Sequence, residues 1–300
     1  MPKVIVLGVA AGGGVPQWNC NCGICREARR DPTMQSGQAS LAVSADGRHW
    51  FLVNASPDLR AQVTATPALH PDPSRLRHTP IAGVILTNAE VDAVAGLLSM
   101  REGSPFGIWG PPKVLDMLAA NPIFGVLPPD RVPRRPLSPG QVLDLPLPDG
   151  TPSGLVVEAF DVPGKVAWYL EGHAEAGGDT VGLTFRAGGR AVHVVTACAG
   201  MTPELAQRLG GADTVFFDGT LWTDDEMIRA GLGAKTGQRM GHMSMSGPDG
   251  SIAALAPLGV GRKVFVHVNN SNPVLRPGSP ERQTAEAAGW TIPQAGSAFP

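Results

Sequence analysis

The sequence has no uninterrupted apolar run near the roughly 20 residues that a membrane-crossing helix needs, and its opening, MPKVIVLGVAAGGGVPQW, breaks into glycines after a short apolar stretch. It also lacks the longer apolar core and small-residue cleavage site of a secretory signal, so a cytoplasmic protein is expected. Basic blocks are missing: 24 Lys and Arg stand against 26 Asp and Glu, giving a formal charge of −2. Nucleic-acid binding is therefore unsupported, and no membrane association is expected. Only four cysteines occur in 300 residues, too few for a disulfide framework, and cytoplasmic thiols stay reduced. Repeats and low-complexity segments are absent as well.

What is present is a long, 43% hydrophobic chain with 38 glycines and 29 prolines scattered along it. Such a chain can bury a large core, and the scatter points to many turns between short strands rather than to disorder. KVIVLGV (3–9) reads as a buried first strand, and SLAVSADGRHWFLVNA (40–55) as a hairpin turning at Asp46-Gly47. GVILTNA (83–89) is another buried strand, running into a helix through EVDAVAGLLSMREG. FGIWG is a strand, PPKVLDMLAAN a helix opened by proline, and LVVEAFDV a strand. A second hairpin spans 179–195 and turns at Gly188-Gly189. MTPELAQRLGG carries a Thr cap and a closing glycine, hence a helix. ADTVFFDGT and RKVFVHVNN are late strands, and the residues from about 275 read as a surface-lying tail. Two strand-rich halves with helices outside predict a sandwich of two sheets.

Two groups of residues carry chemistry. WNCNCGIC places Cys20, Cys22 and Cys25 within six positions as C-x-C-x-x-C. A redox pair is usually C-x-x-C alone, and zinc held by thiolates wants four tetrahedral ligands. A structural zinc is expected, its fourth ligand coming from far along the chain; free buried cysteines are the plainer alternative. The second group lies at strand ends: Asn88, Glu90 and Asp92 after ILT, Asp218 closing TVFFD, His267 closing KVFVH, and His242 in the loop GQRMGHMSMSG. In layered α/β proteins ligands gather at strand ends, and a buried carboxylate or imidazole there must be paired or bind something. Each also has an ordinary reading: a first-turn helix acid, a turn acceptor, a satisfied core histidine.

These residues carry a resemblance. GVILTNAEVDAVAGLL stands where the metallo-β-lactamase superfamily places its T-H-x-H-x-D-H-x-x-G-L signature. VLGVAAGGGVP followed by C-x-C-x-x-C resembles the branch containing the phosphodiesterase of phosphonate breakdown. PQWNCNC, GLLSMREG, FFDGTLWTDDEMIRAGLGAKTGQRMGHMSMSG and HVNNSNPVL are similar to the pyrroloquinoline quinone (PQQ) biosynthesis protein B family, from the first strand to about residue 290. The resemblance implies a four-layer αββα metallo-β-lactamase-like sandwich over residues 1–300, expected as a single domain.

The departures matter equally. Asn88, Glu90 and Ala93 replace signature histidines, Asp92 alone is kept, and VVTACAG offers no carboxylate where a bridging aspartate is expected. A dizinc hydrolytic site needs about three imidazoles on one metal plus a bridging acid, so hydrolysis is not expected. What remains is His242 and His267 with Asp92, Glu90 and Asp218. Two histidines and a carboxylate with open positions suit non-haem Fe(II) that activates O2. The B family's assigned role, iron- and O2-dependent hydroxylation of the tyrosine ring in a Glu-Tyr-derived precursor, is then implied, with Fe2+ in the cleft. Arg239 and Lys235 are candidates for holding the acids of that small-molecule, dipeptide-like substrate. A non-catalytic carrier of PQQ or its precursor is the alternative, and homodimerisation is left open. For the zinc, the phosphodiesterase branch supplies its fourth ligand three residues past the last cleft histidine, which here is Asn270. Cys198, His267 or water are the other candidates.

Overall fold

A computed structural model describes residues 1–171 and 180–300. The first half supplies strands β1 (Lys3–Gly8), β2 (Ser40–Ser44), β3 (Trp50–Val53), β4 (Ile81–Ile85), β5 (Gly107–Gly110) and β6 (Arg134–Pro136). The second supplies β7 (Val142–Pro146), β8 (Pro152–Asp161), β9 (Val181–Ala187), β10 (Arg190–Val195), β11 (Thr214–Asp218), β12 (Arg262–Val266) and β13 (Trp290–Thr291). A last strand, β14 (Ala298–Phe299), returns to the first sheet. The sheets run β14-β1-β2-β3-β4-β5-β6 and β13-β12-β11-β10-β9-β8-β7. Each begins with antiparallel pairs and continues in parallel ones, β3 to β6 and β10 to β13.

Period-2 alternation explains the layering. Val4, Val6, Leu41, Val43, Phe51, Val53 and Ile85 face the second sheet and share one core with Val157, Leu183 and Phe185. Their neighbours Ala42, Trp50, Leu52, Val84 and Leu86 face the other way, against Leu59, Val94, Leu97, Val114 and Leu118 from the covering helices. The strands are apolar on both faces because both faces are covered. Each fully buried Phe or Leu contributes roughly 1.5–3 kcal/mol through removal of its surface from water. On the far side, helices Pro203–Leu209, Ser251–Leu255 and Pro280–Ala287 cover the second sheet. The architecture is the helix–sheet–sheet–helix sandwich that the sequence predicts.

Three local expectations change. The 40–55 hairpin forms, but its turn is a five-residue loop. Asp46 Oδ1 accepts from Arg48 and His49 N–H at 2.7 and 2.9 Å, a local network that outcompetes a two-residue turn. The second hairpin does close through Gly188-Gly189, with φ of +54° and +74°; Asp179, the first residue of that stretch, lies outside the described residues. The segment after 275 is more than a surface tail: Trp290 is buried under β12, and the chain ends by pairing Phe299 with Val4. No helix among the described residues is long and apolar enough to cross a membrane.

Candidate metal centres

Strands β4, β11 and β12 all deliver their C-terminal ends to one cleft. At β4 the hand-over is built by Asn54, a non-glycine residue at φ +61°. Its amide donates to Thr87 Oγ1 (2.9 Å) and accepts from Thr87 N–H (2.9 Å), and Thr87 Oγ1 meets Thr196 Oγ1 from the second half at 3.0 Å. That hydroxyl pair joins the two halves at the root of the segment that carries Asn88, the N-cap Glu90 and Asp92 in the first turn of helix Val91–Val94. At β12, His267 also sits at φ +58°, a left-handed conformation uncommon outside glycine but one that Asn and His adopt more readily than most. It turns the imidazole out of the pleat and into the cleft.

The side chains then interlock. His267 Nε2 lies 3.0 Å from Asp92 Oδ2, and His242 Nδ1 lies 2.6 Å from Asp218 Oδ2. The two imidazoles stack with ring centroids 5.1 Å apart. Thr220 Oγ1 sits between them, 2.6 Å from Asp218 Oδ1, 2.8 Å from His267 Nδ1 and 3.1 Å from His242 Nδ1. Asp218 is wholly buried and also accepts from Cys198 and Thr220 N–H. It therefore stands behind His242 rather than in the cleft, and the bonds at both Nδ1 atoms leave Nε2 as the cleft-facing nitrogen of each histidine. Such orientation of imidazoles by carboxylate and hydroxyl partners is the usual support of a metal site. Burial alone would push the His267 imidazole down, but Asp92 and the charges of Asp218 and Glu90 outweigh it and hold it above its ordinary value. Asp92 is likewise driven up by burial and brought below the usual carboxylate range by His267 and His242.

The donor set fits a divalent ion. One ligand atom each of Asp218, His242 and His267 falls within 4.8 Å of the others, but Asp218 is spent on His242 Nδ1, so the cleft itself offers the two imidazoles with the Asp92 carboxylate on the His267 side. Two other candidates are placed differently. Glu90 is an ion-pair partner: its Oε1 accepts from Lys165 Nζ at 2.7 Å and Trp168 N–H at 3.2 Å, which draws it away from the histidines. Arg239 is exposed and outside the cleft wall, whereas Lys235 lines it. The cleft encloses about 510 Å³. Lys165, Trp168 and Thr220, which sequence reasoning missed, also line it. Their signal was faint: Thr220 read as part of an Asp-Gly-Thr turn, and Lys165 sits in an unremarkable loop.

The cysteines form the second centre. Cys22 caps helix Gly23–Arg30, its Sγ accepting from Cys25 N–H at 3.5 Å, while Cys20 Sγ accepts from Cys22 N–H at 3.4 Å. The three Sγ atoms lie within 4.8 Å of one another. The buried Asn270 amide points into their midst, 3.1, 3.8 and 3.2 Å from Cys20, Cys22 and Cys25. Rotating that amide by half a turn presents Oδ1 at the same point. Burial pushes the Cys22 thiol up to about 11, whereas N–H and S–H donors overcome burial and lower Cys20. Three thiols converging on one buried amide suit a bound dication. Cys198 is elsewhere: its thiol donates to Gly200 O at 3.1 Å and burial raises it to about 12. His267 is committed to the cleft, so neither completes the cysteine cluster.

A beta-lactamase superfamily domain matches residues 49–268. Over 99% of both chains the sequence is 62% identical to the coenzyme PQQ synthesis protein B of Rhodopseudomonas palustris strain BisB5. It is 58% identical to that of Gluconacetobacter diazotrophicus, over 97% of both chains. Among solved structures, zinc-bound PqqB from Methylobacterium extorquens superposes with a TM-score of 0.94 at 46% identity, covering 99% of each chain. A diphosphatase of the PhnP family superposes with a TM-score of 0.70 at 18% identity, over 100% of this chain and 98% of that one, a likeness of fold alone.

Proposed function

The chain belongs to the beta-lactamase superfamily and, within it, to the coenzyme PQQ synthesis protein B family, and from that premise we propose that it serves PQQ biosynthesis as an iron- and O2-dependent hydroxylase of the tyrosine ring of a Glu-Tyr-derived precursor. The observation that carries the chemistry is the pair of stacked imidazoles, His242 and His267, beside Asp92 in an open cleft. Two imidazoles and a carboxylate form the donor set of non-haem iron sites, and thiolate-free N and O ligands accept Fe(II) readily.

Bound iron would supply activation of O2 beside the substrate ring. The chain's own residues do the rest. Asp218 fixes the His242 ring and Thr220 the His267 ring, so neither can rotate away from the cleft. Asp92 brings a negative charge opposite His267. At the cysteine cluster, Cys20, Cys22, Cys25 and Asn270 would hold a structural zinc that ties the loop after β1 to the end of β12.

Ring hydroxylation leaves one atom of O2 on the ring and releases the other as water at the cost of two electrons and two protons. Anaerobic loading with Fe(II), verified by elemental analysis, followed by O2, a two-electron reductant such as ascorbate and the Glu-Tyr-derived precursor therefore tests this reading. A product heavier by one oxygen atom supports it. The replacement of signature histidines by Asn88, Glu90 and Ala93 favours the second reading, a carrier of PQQ or its precursor. A carrier would bind the precursor in the iron-loaded state and return it with unchanged mass.

A further inference from the structure

The part of the cleft wall that carries Lys165 and Trp168 has a feature that metal chemistry does not use. The segment 165–171 borders the cleft through Lys165 and Trp168, with Ala167 buried and Tyr169 donating its hydroxyl to Ala89 O at 2.7 Å. With its neighbours turned inward, Trp168 points out along the cleft and is 64% exposed. The stem of Lys165 lies across Gly241, where a Cβ would come within 3.0 Å of Lys165 Cγ, and its carbonyl accepts from Thr180 Oγ1 at 3.1 Å. Its ammonium is thereby held in the cleft wall. There it and the Trp168 N–H converge on a single carboxylate oxygen, Glu90 Oε1, at 2.7 and 3.2 Å. A second ammonium, Lys235, stands close by: Lys165 and Lys235 lie 4.0 and 3.3 Å from the carboxylate oxygens of Glu171.

We propose that the Lys165 ammonium and the Trp168 N–H form a carboxylate-recognition point for an aromatic polycarboxylic acid, and that the Glu90 carboxylate occupies it until the ligand's own carboxylate displaces it. The geometry is that of a receptor already holding a carboxylate, at the distances of charge-assisted hydrogen bonds. The exposed indole beside it offers a planar face to a ring, and Lys235 lies near enough to take a second acid group. Because Glu90 is tethered to the chain, it competes at high effective concentration, so the site discriminates against simple monoacids. The inference rests on the proposed pathway for the identity of the acid but not for the existence of the site.

The test is equilibrium binding of PQQ, a planar tricarboxylic acid, and of benzene-1,2,4-tricarboxylate to wild type, Lys165→Gln, Lys165→Arg and Glu90→Gln at matched, verified metal content. Lys165→Gln should weaken both probes by about tenfold or more, the loss of one charge-assisted contact, and Lys165→Arg should restore most of it. Glu90→Gln should tighten binding several-fold, an opposite sign that a merely structural Glu90 would not give. Unchanged binding in Lys165→Gln overturns the proposal, as does a Glu90→Gln protein that binds as weakly as Lys165→Gln. Should Lys165→Gln fail to fold, Glu90→Gln decides alone. Wild type that binds the benzene acid but not PQQ keeps the recognition point and rules out PQQ as its acid, whereas wild type that binds neither overturns the recognition point.

Discussion

Asp92 and His267 meet at 3.0 Å although 175 residues separate them. The contact joins the first turn of the helix Val91–Val94, which follows β4 of one sheet, to the end of β12 in the other, so the cleft exists only when both halves are folded against each other. Replacing Asp92 by Ala removes a candidate ligand and leaves His267 facing empty space. We expect Asp92→Ala to lose the cleft metal, with iron content after anaerobic loading falling severalfold, while zinc at the cysteines is retained. Elemental analysis of both metals in one sample decides it; equal loss of the two would mean general unfolding.

Thr220 supports three partners through one oxygen. Thr220→Val keeps the shape but leaves Asp218 Oδ1 and His267 Nδ1 each short of a partner. The expected destabilisation is about 1–3 kcal/mol, read from urea denaturation, with metal affinity at the cleft reduced by roughly tenfold or more. Thr220→Ser should restore both quantities.

Zinc at Cys20, Cys22 and Cys25 should contribute directly to folding, because the unfolded chain holds no preformed site. Cys22→Ser is expected to lose zinc and to melt at a lower temperature, and a strong chelator should reproduce the effect in the wild-type protein. A variant with unchanged zinc content and melting temperature would remove the cysteines from any metal role.

His193 sets a pH dependence away from the cleft. It lies buried against Thr184 and Phe160. Burial first, and then the charges of Arg208 and Arg186, push its imidazole down to about 4 from 6.5. A depressed histidine takes up its proton in the unfolded chain first, so its contribution is complete above about pH 6.5 and is lost as pH falls toward 4. Between pH 7 and 5 that amounts to about 2 kcal/mol. His193→Gln should show a shallower decline in urea midpoint over this window than wild type; parallel declines would refute the assignment.

The long apolar strands were legible in the sequence because burial on both faces writes an unbroken apolar run, as in β1, β4 and β11. The cleft histidines were legible because each closes a strand or sits in a glycine-flanked loop. What could not be read was partner choice. Glu90 stands two residues from Asp92 and looks like a ligand, yet Lys165, 75 residues later, takes its carboxylate. Arg239 is close to His242 in sequence, but the short turn Gln238–Met240 points it to solvent. Strands β6 and β7 hide behind prolines and charges, and β13 and β14 are too short to show a period.

Those same weak strands occupy all four sheet edges. β14 and β13 have two residues each, β6 is Arg-Arg-Pro, and β7 ends at Pro146 after Asp144. An exposed edge is a row of unpaired N–H and C=O groups able to template another chain, and natural sheets blunt it with brevity, proline and charge. Here every border is blunted in one of these ways, so two seven-stranded sheets offer no long ribbon for recruitment into fibrils. The sequence features that concealed these strands from a reader also conceal them from other chains.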